Sequence, residues 1–393
     1  MTTTQDTFTA RRRRVVEAMG EATALWIGER GERHSDLEYL TGLREPEMAL
    51  VLSPTAAPTL YVRRRDHEQE RWGEAGAGLE GAARRSGVED VRPLEALEAE
   101  LGERLRGSAR LGWRLGRSRR WDRALIDAVS AMGPKVRAPD IVDPSGWVAK
   151  LRLVKDAAEL EAMRRAGAVT ARAVERARGR LGPGVTELAL AGAIEAAFRE
   201  GGAERNAFTS LVAAGERACC LHPLPSRRRV AEGELVLVDV GASWGGYAAD
   251  MTRTFPVGAP TSAQRDVIAV VQEAHDAAAA VARPGSTLGA VHAAASRSLE
   301  ANLARLGLPG PLSRWFMHKT SHWIGLDAHD PSSALFAGEE EVTLEPGVTF
   351  TVEPGLYIDR DAEDAPAALR GIGVRIEDTV AVTASGHEVL TRA

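Results

Sequence analysis

Apolar and polar positions change their period along the chain, and the changes mark out its elements. Residues 95–106 (EALEAELGERLR) and 119–132 (RRWDRALIDAVSAM) repeat apolar side chains every three or four positions, which predicts amphipathic helices. A long helix is predicted over 155–181, with Asp156 near its start and Gly182-Pro183-Gly184 as its stop. Three more follow over 186–202, capped by Thr186, over 262–285, capped by Ser262, and over 287–307. Short apolar runs between them read as strands: 49–54, 59–64, LVLVDVG (235–241), TFTVEPG (349–355) and GVRIEDTVAV (373–382). From about residue 150 onward, a helix pair and a strand set occur twice, which predicts an α+β domain. Residues 1–142 read as a smaller α/β domain. Asp143-Pro144-Ser145-Gly146 is the linker candidate, so domains are expected at 1–142 and 143–393.

Three of the strand runs contain an acid where apolar residues are expected: Asp239, Glu353 and Glu377. A fourth acid, Asp250, closes WGGYAADMTRT (244–254) just before a strand-like continuation. A charge inside a buried strand is costly unless it is paired or bound to a cation. Any one of these acids alone would read as a turn residue or an arginine's partner. The set is ordered, however. Gly233 and Gly347 each precede an acid by six residues (Asp239, Glu353), and Gly246 and Gly373 each precede one by four (Asp250, Glu377). Thr252 and Thr379 each follow the second acid by two. A repeated plan of glycine turn, strand, acid, return strand, acid and threonine predicts a pseudo-twofold core in which two carboxylates from each half converge.

With 393 residues, 44% of them apolar, the chain is long enough for two domains with a sizeable core. A net charge of −5 gives no reason to expect nucleic acid or an anionic membrane as partner. The one basic cluster, Arg11–Arg14, reads as a solvated first turn of a helix. The glutamates that follow it exclude a signal peptide, and no uncharged apolar run approaches membrane-spanning length. The only cysteines, Cys219 and Cys220, are adjacent. Adjacent cysteines rarely satisfy disulfide geometry, so a reducing cytoplasm is expected, and a cysteine-only metal site is excluded.

The histidines are unevenly spread. His318, His322 and His329 fall within FMHKTSHWIGLDAHD (316–330), and His222 stands alone in CCLHPLPS (219–226). His275 and His292, on predicted helices, read as surface or core residues, and His34, His67 and His387 as structural. An imidazole beside four carboxylates suits Mn²⁺, Co²⁺ or Zn²⁺ and points to metal-assisted hydrolysis.

The order Asp…Asp…His…Glu…Glu, with SHWIGLDAHD, TVEPGLY and GIGVRIED, resembles the M24 metallopeptidases of the pita-bread fold. Within that family these motifs are most similar to bacterial aminopeptidase P, as is RHSDLEYLTGLREPEMALVL (33–52). The resemblance implies a pita-bread catalytic domain behind a smaller N-terminal domain. The implied activity removes the first residue from peptides with proline second. Two divalent metal ions are implied, Mn²⁺ favoured and Zn²⁺ or Co²⁺ possible, together with a homo-oligomer, dimer or tetramer. By the same resemblance Asp239 would bind one metal, Asp250 and Glu377 would bridge, and His322 and Glu353 would complete the second, Glu353 also serving as base. His222, His318 and His329 would contact substrate, His329 placed to stabilise the intermediate. Tyr357 and Arg375 would support the site, and Asp36 would frame the substrate's amino end.

The chain departs from the family pattern at Pro223 and Ser226, beside His222, and at Lys319, where glycine is common. Arg44 keeps a rival open: an arginine in the cleft would clamp the carboxylate of a dipeptide and make the enzyme a prolidase. A metal-free C–N hydrolase or a non-catalytic binding module on the same fold would have lost ligands, and all five are present here.

Overall fold

The computed structural model describes residues 4–392 apart from 32, 67, 73–75, 134 and 332–340, so His67 lies outside the described residues. The chain divides into two compact units, Thr2–Arg152 and Leu153–Ala393. The break thus falls later than the 142/143 boundary read from the sequence. The stretch 143–146 runs directly into a helix, Ser145–Leu153, in which Val148 is fully buried.

The N-terminal unit contains α1 (Gln5–Met19), β1 (Ala22–Gly28), α2 (Ser35–Thr41), β2 (Met48–Leu52), β3 (Thr59–Val62), α3 (Gly78–Ser86), β4 (Asp90–Pro93), α4 (Leu97–Arg104), β5 (Arg110–Gly112), α5 (Arg119–Ser130), β6 (Asp140–Val142) and α6 (Ser145–Leu153). Its strands form one mixed sheet in the order β4-β3-β2-β1-β5-β6, antiparallel from β1 to β3 and parallel at both margins. The reading of Arg11–Arg14 as a solvated turn is corrected for its first two members. Arg11 and Arg12 are buried, and their guanidinium groups donate to Tyr39 O at 3.2 Å and Leu40 O at 2.8 Å. Those carbonyls belong to the last turn of α2, where partners are missing and the helix dipole is negative, so two cations suit the place. Burial lowers the Arg12 pKa to about 10. Arg13 and Arg14 are exposed.

The second unit contains α7 (Ala157–Arg178), α8 (Glu187–Glu200), β7 (Arg205–Asn206), β8 (Leu211–Ala214), β9 (Leu235–Val240), β10 (Ala242–Trp244), β11 (Tyr247–Ala248), β12 (Met251–Pro256), α9 (Ser262–Ala280), α10 (Leu288–Leu306), β13 (Thr349–Val352), β14 (Gly355–Ile358), β15 (Ile372–Arg375), β16 (Glu377–Val382) and β17 (His387–Val389). The expected duplication is present down to the helix caps. The first helix of each pair opens with a capping box, Asp156/Glu159 on α7 and Thr261/Gln264 on α9. The cap of α9 is therefore Thr261, one residue before the Ser262 expected. The second helix of each pair is capped by a threonine, Thr186 to Ala189 N and Thr287 to Ala290 N, both at 3.1 Å. Gly233 and Gly347 turn with φ of 79° and 95°, a conformation that strains any residue with a Cβ.

The main sheet is antiparallel in the order β13-β16-β12-β9-β8, with β17 beside β16. Its strands alternate strictly between two faces. Val236, Val238, Val240 and Met251 pack into the core under α7 and α8, and Phe350, Val352, Val380 and Val382 into the core that takes in residues of α9 and α10. The opposite face carries Asp239, Thr252, Thr351, Glu377 and Thr379, all buried and all polar. Threonine suits this face because it is β-branched, favouring strands, and its hydroxyl can satisfy backbone left unpaired by loops. Thr349 Oγ1 donates to Ile324 O at 2.6 Å, and Thr351 Oγ1 accepts from His322 N at 3.1 Å. An irregular loop is thereby laid against the acid-bearing face.

Candidate metal centre

Register sets three site residues abreast across three strands. Thr252 on β12 pairs with Asp239 on β9 on one side and with Glu377 on β16 on the other. Directly paired residues point to the same face, so the threonine stands between two acids. Its hydroxyl donates to Glu377 Oε2 at 2.6 Å and accepts from Arg375 Nε at 3.2 Å. Asp250 immediately precedes β12, and its backbone is gripped by Thr379: Thr379 Oγ1 accepts from Asp250 N at 2.9 Å and donates to Asp250 O at 2.8 Å. Glu353 follows the end of β13, donates its N–H to Thr320 O at 2.8 Å, and accepts at Oε1 from Thr351 Oγ1 at 3.2 Å.

His322 closes the group. Its Nδ1 meets Trp323 O at 3.1 Å, which places the proton on Nδ1 and leaves the Nε2 lone pair facing Asp250 Oδ2 and Glu353 Oε1, each at 3.6 Å. Ligand atoms of Asp250, His322 and Glu377 lie within 4.8 Å of one another. All five residues singled out as ligands thus belong to one connected, largely buried cluster.

The electrostatics favour a cation. Two like charges 4 Å apart repel by roughly 4 kcal/mol at an effective dielectric of about 20. Burial first, and then the charges of Asp239 and Glu353, hold the Asp250 carboxyl well above the usual range. Glu377 is raised well above it by burial and by Asp250, Glu353 and Asp239. Glu353 is raised by burial, against the opposing pull of His322 and Arg375. Asp239 Oδ1 and Asp250 Oδ1 are buried and accept no hydrogen bond from the described residues. Orphaned acceptors among mutually repelling carboxylates, with one imidazole lone pair turned toward them, fit divalent metal ions in chemistry and in number of donors.

Arg375 is the protein's own counter-charge. Its Nη2 donates to Asp239 Oδ2, and its Nη1 donates to the Tyr357 hydroxyl oxygen at 3.0 Å. Burial alone would lower its pKa, but the charges of Tyr357, Asp239 and Glu377 hold it well above its usual value. Burial pushes the Tyr357 hydroxyl up to about 12. That hydroxyl lies 2.8 Å from His318 Nε2, while His318 Nδ1 lies 2.8 Å from Lys319 O. The carbonyl can only accept, so Nδ1 carries the proton and Nε2 accepts from Tyr357. Burial lowers His318 to about 4, so the ring is neutral at pH 7. His329 packs edge-on against His322 at 4.3 Å and is lowered by burial and by its imidazole neighbours His322 and His222. His222 is exposed, yet close enough to bear on the charge of both His318 and His329.

Asp36 and Arg44 belong to the N-terminal unit. Asp36 Oδ1 accepts from Arg152 Nη1 at 2.8 Å, and Arg44 Nε donates to Glu38 Oε1, a carboxylate that Arg33 also holds. Several working residues were not assigned a role from the sequence. The threonine hydroxyls are one set; Thr252 and Thr379 stood out only by spacing. Asp378, beside Glu377, faces the helices and is held by Arg253 Nη2 and by Thr391 Oγ1, each at 2.7 Å, with His275 Nε2 at 3.2 Å. His275 is therefore a core residue, as read. His292 meets Thr320 Oγ1 at 2.8 Å and so braces the loop between His318 and His322. Lys155 and Asp330 form a buried ion pair at 3.1 Å next to His329. A strand-alternation argument could have found Asp378; the others depend on long-range contacts.

Comparison with known proteins agrees with this centre. Residues 161–384 match the model of metallopeptidase family M24, and residues 32–111 match the aminopeptidase P N-terminal domain. The chain is 34% identical over 416 aligned residues to a Xaa-Pro aminopeptidase of Escherichia coli, covering 98% of this chain and 94% of that protein. It is 30% identical to human Xaa-Pro aminopeptidase 3, over 90% of this chain and 72% of that one. Among solved structures, the Pseudomonas aeruginosa aminopeptidase PepP superposes with a TM-score of 0.91 at 35% identity, covering 99% of this chain and 95% of that one. A proline aminopeptidase P II from Yersinia pestis gives 0.90 at 33%, covering 99% and 96%. With the pita-bread core, its carboxylate–histidine cluster and both family matches in place, this chain belongs to the M24 metallopeptidase family and carries the aminopeptidase P N-terminal domain.

Proposed function

We propose that the chain is a Xaa-Pro aminopeptidase, a metal-dependent hydrolase that releases the first residue of peptides with proline second. The observation that carries this reading is the convergence of Asp239, Asp250, His322, Glu353 and Glu377 on one buried face. It is joined by near full-length similarity to enzymes of that name. These five residues would hold two divalent cations, with Mn²⁺ the favoured ion. When bound, such ions supply an acidified water and polarise the scissile carbonyl. Glu353 serves as the proton acceptor, because it lies at the end of its strand and is the ligand carboxylate beside both His318 and His322. His329, kept neutral, donates to substrate without adding positive charge beside the cations, and neutral His318, whose one N–H is held by Lys319 O, lines the substrate side of Glu353. Arg375 and Tyr357 fix His318 in its tautomer and orient Asp239. A proline nitrogen carries no hydrogen, so the site recognises the ring by shape and returns a proton to that nitrogen as the bond breaks.

Asp36 is proposed to frame the substrate's amino end. The dipeptidase reading depends on Arg44 reaching for a substrate carboxylate; Arg44 Nε donates to Glu38 Oε1, and near full-length similarity to Xaa-Pro aminopeptidases favours the aminopeptidase reading. Two free cysteines suit the cytoplasm, the proposed compartment, and a homo-oligomer is the proposed assembly. Among the described residues no helix is long and apolar enough to cross a membrane. Steady-state rates on Ala-Pro-Ala, Ala-Pro and Ala-Ala-Ala test the reading. The tripeptide with proline should be cleaved at least as well as Ala-Pro, and Ala-Ala-Ala left nearly intact. Cleavage of Ala-Pro alone would make the enzyme a dipeptidase.

A further inference from the structure

The loop that carries His222 is closed at its neck by one buried carboxylate. Glu187 stands at the first position of α8, and its side chain has no exposed surface. Its Oε1 accepts from Ala214 N at 2.9 Å and from Arg217 Nε at 3.1 Å. Its Oε2 accepts from Ser226 N at 3.0 Å and from Ser226 Oγ at 2.6 Å. Ala214 and Arg217 lead into the loop, and Ser226 leads out. Two further bonds tighten the neck: Arg217 Nη2 donates to Leu224 O at 2.7 Å, and Arg228 N donates to Ser226 Oγ at 3.1 Å. The backbone of α8's first turn joins in, with Leu188 N donating to Ser226 O at 3.1 Å.

Between these stems the chain has little regular structure, only a short 3-10 turn over Gly215–Cys219. The apex leans on the β14–β15 hairpin. Cys219 Sγ lies 3.4 Å from Ile358 O, and a Cβ at Gly373 would overlap Ala218 O, so only glycine lets the loop come so near. His222 therefore sits at the tip of a loop whose two stems are both bonded to Glu187, and its ring is exposed. Ser226, which departs from the family pattern, supplies two of the four donors to Glu187. The departure is thereby part of the latch.

We infer that Glu187 is a positioning residue for the reaction, acting through His222 by clamping both stems of the 214–226 loop. This rests on the reading of His222 as a substrate contact. A buried carboxylate accepting four bonds is among the stronger local constraints available to a loop, because removing it strands every donor at once. The prediction is a kinetic effect that passes entirely through His222.

The test uses the full-length, Mn²⁺-loaded protein with Glu187→Ala, Glu187→Gln and Ser226→Ala, each also combined with His222→Ala. Glu187→Ala should lower kcat/KM on Ala-Pro-Ala by about tenfold or more while bound metal stays at the wild-type level. Glu187→Gln and Ser226→Ala should fall in between, and they carry the test if the alanine variant fails to fold. In the His222→Ala background the same changes should have no further effect, since residues acting as one unit are not additive. Hydrogen exchange gives a readout independent of activity: amides of 215–226 should exchange faster in Glu187→Ala while α7 and β9 are unchanged. Losses that multiply in the double variants, or kinetics that stay at wild type while only thermal stability falls, would overturn the proposal. Should the wild-type enzyme prove inactive on every proline peptide, the functional reading fails, and the exchange result still decides whether Glu187 latches the loop.

Discussion

The two halves of the catalytic core share a plan and differ in what surrounds their acids. Each half brings a capped helix pair, a glycine turn and two strands, and each contributes two carboxylates. Each also lends a threonine to the other: Thr252 of the first half bonds Glu377 of the second, and Thr379 of the second grips the backbone of Asp250. Beyond that exchange the halves diverge. Counted from the turn glycine, Asp239 and Glu353 are equivalent. Counted by strand pairing they are not, because Thr252 faces Asp239 whereas Thr379 faces Thr351. Glu353 thus stands past the paired part of its strand. Asp239 is held by Arg375, a cation reached from the β14–β15 hairpin of the second half, whereas Glu353 is met by a hydroxyl and by His318 and His322. The difference teaches a division of labour. On the proposed reading, duplication would supply ligands in pairs, and divergence of the second half would supply the groups that handle protons.

The largest effect that sharpens this contrast should come from His329→Ala. Bound metal should stay at its wild-type level while kcat falls on the order of 10²–10³, the usual loss for one preorganised donor. Its counterpart in the first half, His222→Ala, should act mainly on KM. Steady-state kinetics with parallel elemental analysis checks both; if His329→Ala raises KM alone, His329 binds the ground state and the division blurs. A smaller effect should come from the exchanged threonines. Thr252→Val strips one bond from Glu377 and one from Arg375, Thr379→Val strips two from the backbone of Asp250, and each should destabilise the metal-free protein by about 1–3 kcal/mol. Urea midpoints measure this, and a costly Thr252 beside a silent Thr379 would break the reciprocity.

Much of the second unit was legible because strands and helices advertise themselves by period. Asp239, Glu353 and Glu377 stood out as acids inside apolar runs, and the repeated glycine and threonine spacings disclosed the duplication. The offset between Asp239 and Glu353 was not legible, since spacing along one strand says nothing of its register with the next. Nor was the burial of Arg11 and Arg12, which is decided by the carbonyls of a helix more than twenty residues away. Glu187 reads in sequence as an ordinary acid in a first helical turn. Only the folded loop shows four donors converging on it.

Metal content of four single variants tests the central claim most directly. Asp239, Asp250, Glu353 and Glu377 would each be changed to alanine, saturated with Mn²⁺, desalted and analysed for manganese per chain beside the wild type. If two cations are shared by the two halves, the wild type holds two equivalents. Asp250→Ala and Glu377→Ala, which remove the inner carboxylate of each half, should lose nearly all metal and activity together. Asp239→Ala and Glu353→Ala, which remove the outer one, should each keep about one equivalent. Equal metal content in all four variants, or two equivalents retained in Asp250→Ala or Glu377→Ala, would contradict a centre built from paired contributions of a duplicated core.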